Sequence, residues 1–156
     1  MDLNALETPS NDLGGLYERR LLPMPAPVLA EPVKASIAIW TIQMARWRLA
    51  KERDIFFLDI TAKSGVAAFA PSWECLRAYR QGTMKEGEYT AEYLERMSNS
   101  KERNPKHWAR LGAYPRIALA CYCPDQAYCH RHLFKALMAE HLNTQGHPVV
   151  QMGELG

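Results

Sequence analysis

Apolar positions in this chain fall into short dense runs, separated by stretches with helical spacing. Ile37 to Gln43 (IAIWTIQ) is rich in β-branched and aromatic residues and predicts a buried strand. Ile55 to Thr61 (IFFLDIT) is apolar almost throughout, as expected of a strand covered on both faces. Ile117 to Cys121 predicts a third strand, and Val149 to Met152 a short last one. The intervening pattern is helical. Ser72 caps a helix running to about Gln81, and Gly82 stops it. Thr83 to Glu86 resembles a capping box opening a helix over 85–98, where Tyr89, Tyr93 and Met97 recur every four residues and share a core face. Asn104 and Pro105 open a short helix to about Leu111. From about Ala127 to Asn143, Leu133 aligns with Leu137, and Phe134 with Met138 and Leu142; Gly146 suits the cap that ends this helix. Ala45 to Arg53 fits either a short helix or a basic loop.

This alternation predicts a small α/β domain over 34–156. Its sheet is mainly parallel, with helices packed in a Rossmann-like three-layer or two-layer arrangement. Functional groups are then expected at the carboxyl ends of the strands. Residues 1–33 predict an N-terminal extension. LLPMPAPVLAEP holds four prolines, which forbid helix, and enough apolar residues to pack on the body or on the other subunit of a homodimer.

Composition narrows the class without naming it. At 156 residues the chain can bury a real core, and its net charge of +2 makes no case for nucleic acid, although a local basic patch could still bind it. No run of about 18 apolar residues is present, so no membrane partner is expected. The N-terminus lacks the basic and apolar regions of a signal peptide, which points to the cytoplasm. Cysteines there stay reduced, so their clustering speaks for metal or reactivity before a disulfide.

The candidate chemistry lies in two segments. Asp59, Lys63 and Ser64 follow the second strand. Three of the four cysteines and two of the five histidines lie between Cys121 and His132, after the third strand. If the two strands are neighbours, the segments meet in one crevice. Cys129, His130 and Arg131 stand at a helix N-terminus, where backbone N–H groups, the helix dipole and a guanidinium favour an anion, and where a thiol loses its proton more easily. The plain alternative makes Cys129 a small buried hydrophobe and Arg131 a surface residue. Zinc at Cys121, Cys123, Cys129 and His130 is the other reading. It is weakened because alternation along a strand would send Cys121 and Cys123 to opposite faces. No P-loop, GxGxxG or CxxC is present, and the Cys–Arg spacings do not fit a cysteine-dependent phosphatase loop.

Taken in order, Asp59-Ile60-Thr61-Ala62-Lys63-Ser64-Gly65, Phe69 to Trp73, Tyr89 and Tyr93, Cys121-Tyr122-Cys123-Pro124, Cys129-His130-Arg131-His132-Leu133 and Gly153-Glu154 resemble the domain of unknown function 488 family. The resemblance covers roughly 36–155. It implies a compact α/β domain found in bacteria, archaea and their viruses, and brings no established activity.

The combined expectation is an uncharacterised-family protein that binds a phosphorylated or nucleotide-like ligand and acts on it as an enzyme. Cys129, Asp59 and His130 are the candidate catalytic groups. Lys63, Ser64, Arg131, Cys123 and Glu154 are the candidate ligand-binding ones. The alternatives are a non-catalytic nucleic-acid-binding or nucleotide-sensing module, rimmed by Arg46, Arg48, Lys51 and Arg53, and a zinc-stabilised interaction protein.

Overall fold

The four apolar runs form four strands: β1 (Ile37–Gln43), β2 (Phe56–Asp59), β3 (Arg116–Cys121) and β4 (Val149–Glu154). They build one sheet in the order β2-β3-β1-β4, and every pairing is parallel. These facts come from a computed structural model that describes residues 32–156; the Pro-rich extension expected over 1–33 lies outside the described residues up to position 31. Parallel neighbours need crossovers, and the helices supply them. They are α1 (Trp47–Glu52), α2 (Trp73–Arg80), α3 (Glu86–Arg103), α4 (Pro105–Arg110) and α5 (His130–Thr144). Among the described residues, no helix is long and apolar enough to cross a membrane.

Alternation along the strands divides the core in two. Ile37, Ile39, Ile117 and Leu119 face the larger layer, where Tyr93, Met97, Phe134, Met138 and Leu142 pack. Ile42, Ala118 and Ala120 face a thinner layer under α1, with Ala50 and Leu155. The fold is therefore α/β with helices on both faces of the sheet. Tyr89, Tyr93 and Met97 are buried, as their four-residue spacing predicts. The segment 45–53 resolves into a 3-10 turn (Met44–Arg46) followed by α1.

Three boundaries differ from the sequence reading. α5 begins at His130, because Ala127 and Tyr128 belong to the preceding turn. α3 runs on to Arg103, five residues beyond the expected end at 98. Its cap is shifted by two residues: Lys85 is the N-cap, and its N–H donates to Glu88 Oε2 at 2.8 Å, while the Thr83 hydroxyl donates to the Ala78 carbonyl. Gly82 and Gly146 end α2 and α5 with φ of +77° and +87°, a left-handed conformation natural to glycine.

One face of α3 holds the loop that carries half of the site. Tyr93 Oη donates to the Phe69 carbonyl at 2.7 Å, Arg96 Nε to Ala70 at 2.7 Å and Ser100 Oγ to Ala68 at 2.5 Å. Trp108 Nε1 donates to the same Ser100 oxygen at 3.1 Å. Ser100→Ala leaves a buried indole N–H and a buried carbonyl unpaired. It is expected to cost about 2 kcal/mol, measured as a lower urea midpoint at unchanged m-value.

Candidate active site

β2 and β3 are neighbours, so the two segments do meet, at the carboxyl ends of both strands. Asp59 is the last residue of β2 and organises the loop after it. Its Oδ1 accepts from the Thr61 N–H at 2.9 Å and hydroxyl at 2.7 Å, and its Oδ2 accepts from Ser64 Oγ at 2.6 Å. The Val66 N–H closes back onto the Asp59 carbonyl at 2.9 Å. Gly65 lies against this carboxylate so closely that a Cβ there would stand 2.4 Å from Thr61 N and 2.6 Å from Asp59 Oδ1. The Asp59 side chain is thus spent on loop geometry. Lys63 emerges from the loop into solvent, with Nζ 5.8 Å from the Tyr122 ring centroid.

The thiols come together against the strand-alternation expectation. Cys121 and Cys123 were expected to face opposite sides; their sulfurs are 3.7 Å apart. The reason is that β3 ends at Cys121, and the backbone bends at Tyr122–Cys123. The bend is held by Arg131, whose Nη1 donates to the Cys123 carbonyl at 2.8 Å and Nη2 to the Pro124 carbonyl at 3.0 Å. Cys129 joins from the N-cap of α5, and the three sulfurs lie within 4.8 Å of one another, a set that could hold a metal ion.

Protons in this trio are shared unevenly. Hydrogen bonds from Cys121 and then Cys129, with the positive charges of Arg131 and Arg80, hold the Cys123 thiol well below its ordinary range against the effect of burial. Cys129 is pushed up, first through its bonds to Cys121 and Cys123 and then by burial. Cys75, which is not part of the trio, is raised to about 11 by burial and the Glu92 carboxylate, so it is an inert core thiol. His130 is buried, and its Nε2 lies 2.7 Å from the Ile60 carbonyl, which can only accept. Nε2 therefore carries the proton of the neutral ring, leaving the Nδ1 lone pair facing Cys129 Sγ at 3.6 Å.

Above the thiols lies a cleft of about 250 Å³, just under the range of small-molecule sites at roughly 300–1,000 Å³. Cys121, Cys123, Cys129 and His130 are among its lining residues. So are Lys63, Arg80 and the aromatic rings of Trp73, Tyr79, Tyr89, Tyr122 and Tyr128. Tyr79 packs at 5.1 Å from Tyr89 and 5.8 Å from Tyr128, which gives that side a preformed wall. Trp73 and Tyr122 also line the cleft and remain 47% and 51% exposed.

The family model described as the active DUF488-N3 subclade matches residues 30–142. The chain belongs to the DUF488 family. No curated protein and no solved structure matches it. The DUF488 match includes both halves of the cleft and stops before β4, so the Gly153-Glu154 part of the sequence resemblance lies outside it.

Within this DUF488 domain, the predicted site residues separate into two groups. Lys63, Cys123, Cys129 and His130 line the cleft, with Ser64 beside it on the Tyr122 hydroxyl at 3.2 Å. Arg131 and Glu154 do not line it. Arg131 is fully buried, neither a surface residue nor turned toward an anion in the cleft. One residue along a helix rotates the side chain by about 100°, and Arg131 is thereby turned toward the turn after β3 and the end of β4. There its Nη2 meets Glu154 Oε1 at 3.3 Å. Glu154 in turn accepts a hydrogen bond from the Thr41 hydroxyl. Sequence reasoning passed over Trp73, Arg80, Tyr122 and Tyr128 as site residues. Trp73 and Tyr122 do stand inside the segments that carry the family resemblance, whereas Arg80 and Tyr128 had no signal beyond their nearness to a helix end and a turn, which many surface residues share.

Proposed function

We propose that this DUF488 protein binds a planar, negatively charged ligand of nucleotide type in the cleft, above the thiol and imidazole groups of its floor. One observation carries the reading. The cleft lining combines two half-exposed aromatic faces, Trp73 and Tyr122, with two cations, Lys63 and Arg80, and among the described residues it holds no carboxylate. Aromatic faces take a base by stacking, worth about 1–3 kcal/mol per base. Lys63 and Arg80 supply the charge that a phosphate needs. A free nucleotide fits better than a nucleic-acid strand, because the basic run in and around α1 lies outside the cleft. Arg46, just before the helix, is paired with Asp125 at 3.1 Å, and Arg53, just after it, donates to the Gly156 carbonyl at 3.2 Å.

A panel of nucleosides, nucleoside mono-, di- and triphosphates and dinucleotides, screened by thermal shift, tests the reading. A nucleotide at a hundred times its Kd is expected to stabilise the protein by about 2.7 kcal/mol. Trp73→Ala is expected to weaken binding of nucleotide and parent nucleoside alike, by roughly tenfold. Lys63→Ala is expected to weaken only the phosphorylated form. If no member of the panel shifts the transition, the nucleotide reading fails.

A further inference from the structure

We infer that Cys121, Cys123, Cys129 and His130 Nδ1 form a four-ligand site for a thiophilic divalent cation, zinc first among them, at the floor of the cleft.

The spacing supports a tetrahedron. Zn–S bonds of about 2.3 Å place sulfurs roughly 3.8 Å apart, and a Zn–N bond of about 2.05 Å places nitrogen and sulfur roughly 3.6 Å apart. The Cys121–Cys123 sulfurs are 3.7 Å apart, and Cys129 Sγ lies 3.6 Å from His130 Nδ1. The remaining thiol spacings reach at most 4.8 Å and need to close by about 1 Å, and His130, which is not within 4.8 Å of all three sulfurs, must move in with them.

The imidazole supplies an independent argument. A metal-bound histidine ordinarily donates its second N–H to a carbonyl or carboxylate, which fixes the tautomer and aims the lone pair. His130 meets this condition through Ile60, at 2.7 Å. The ring is held further by edge contact with Tyr93, at 5.5 Å between centroids. Arg131 completes the frame by fixing the Cys123 and Pro124 carbonyls, which turns the Cys123 sulfur back to Cys121. The four ligands therefore come from a strand end, a bend and a helix start, each held by a contact of its own. Cys123 is the one ligand of the four that is not buried, and it also lines the cleft, so this corner of the site faces whatever the cleft binds. The site shares its floor with the nucleotide reading but does not depend on it.

The test is the metal content of the full chain, expressed and purified without added metal. About one zinc per chain is expected in the wild type and in Cys75→Ser, and loss of at least nine-tenths of it in Cys129→Ser. Replacement of zinc by cobalt should give thiolate-to-metal charge transfer together with intense tetrahedral d–d bands. His130→Gln should retain the charge transfer and change the d–d bands. If Cys129→Ser does not fold, cobalt titration of the reduced, metal-stripped wild type carries the test, saturating at one equivalent. A wild type with neither zinc nor cobalt uptake overturns the site, and unchanged d–d bands in His130→Gln overturn the four-ligand set. Failure of the nucleotide reading looks different, since Trp73→Ala and Lys63→Ala leave the metal content untouched.

Discussion

Arg131→Ala is expected to cost about 3–5 kcal/mol, the usual loss when one partner of a buried ion pair is removed. In a chain of this size that is a fall in Tm on the order of 10 °C. Arg131 is fully buried, and it serves two carbonyls and one carboxylate at once. Alanine leaves the Cys123 and Pro124 carbonyls without their donors and Glu154 without its cation. Arg131→Lys keeps the charge but loses the planar fork, so it is expected to recover only part of the loss. Removing both charges, in Arg131→Met with Glu154→Met, is expected to be milder than Arg131→Ala alone, because no unpaired carboxylate remains. Urea unfolding of the four proteins decides the matter. A loss under about 1 kcal/mol in Arg131→Ala would show that water takes over the carbonyls. The functional consequence follows from the same geometry. Without the guanidinium the bend at Tyr122–Cys123 is no longer held, and Cys123 leaves the trio.

Gly65→Ala is the second large effect. The added Cβ would stand 2.4 Å from Thr61 N, 2.5 Å from the Asp59 carbonyl oxygen and 2.6 Å from Asp59 Oδ1. Two of these are backbone atoms, so no side-chain rotation relieves the clash. The loop must open, and the bonds from Gly65 N–H to the Thr61 carbonyl at 3.0 Å and from Val66 N–H to the Asp59 carbonyl at 2.9 Å are at stake. The expected cost is about 3 kcal/mol, at the upper end of overpacking losses. Lys63 and Ser64 ride on the same loop, so nucleotide affinity should fall with stability. Gly87→Ala is the matched control. Nothing lies within 4 Å of a Cβ there, and the position is helical, so a gain of up to about 1 kcal/mol is expected. Equal effects at the two glycines would sink the steric argument.

The sequence by itself determined the elements, their order and the place of the cleft. β1 coincides with its apolar run, and the other strands lie within a few residues of theirs. The reason is that strand and helix periodicity is local, and a half-buried segment repeats it every two or four residues. The rule that sites sit at the carboxyl ends of parallel strands then located Lys63, Cys123, Cys129 and His130 without any knowledge of their contacts.

Only the tertiary structure decided what each of these side chains does. Strand alternation holds while a strand lasts, and β3 ends at Cys121, so the direction of Cys123 depended on a bend and on a guanidinium eight residues away. A helix start favours anions in general, yet the 100° step from His130 to Arg131 placed one ring against the thiols and the guanidinium on the turn after β3 and on Glu154. Asp59, expected among the catalytic groups, organises its own loop, because Thr61 and Ser64 are near enough to occupy both oxygens. Periodicity is a property of neighbours along the chain. Which polar group meets which is settled by distance in space, and that is where the chemistry of this cleft is decided.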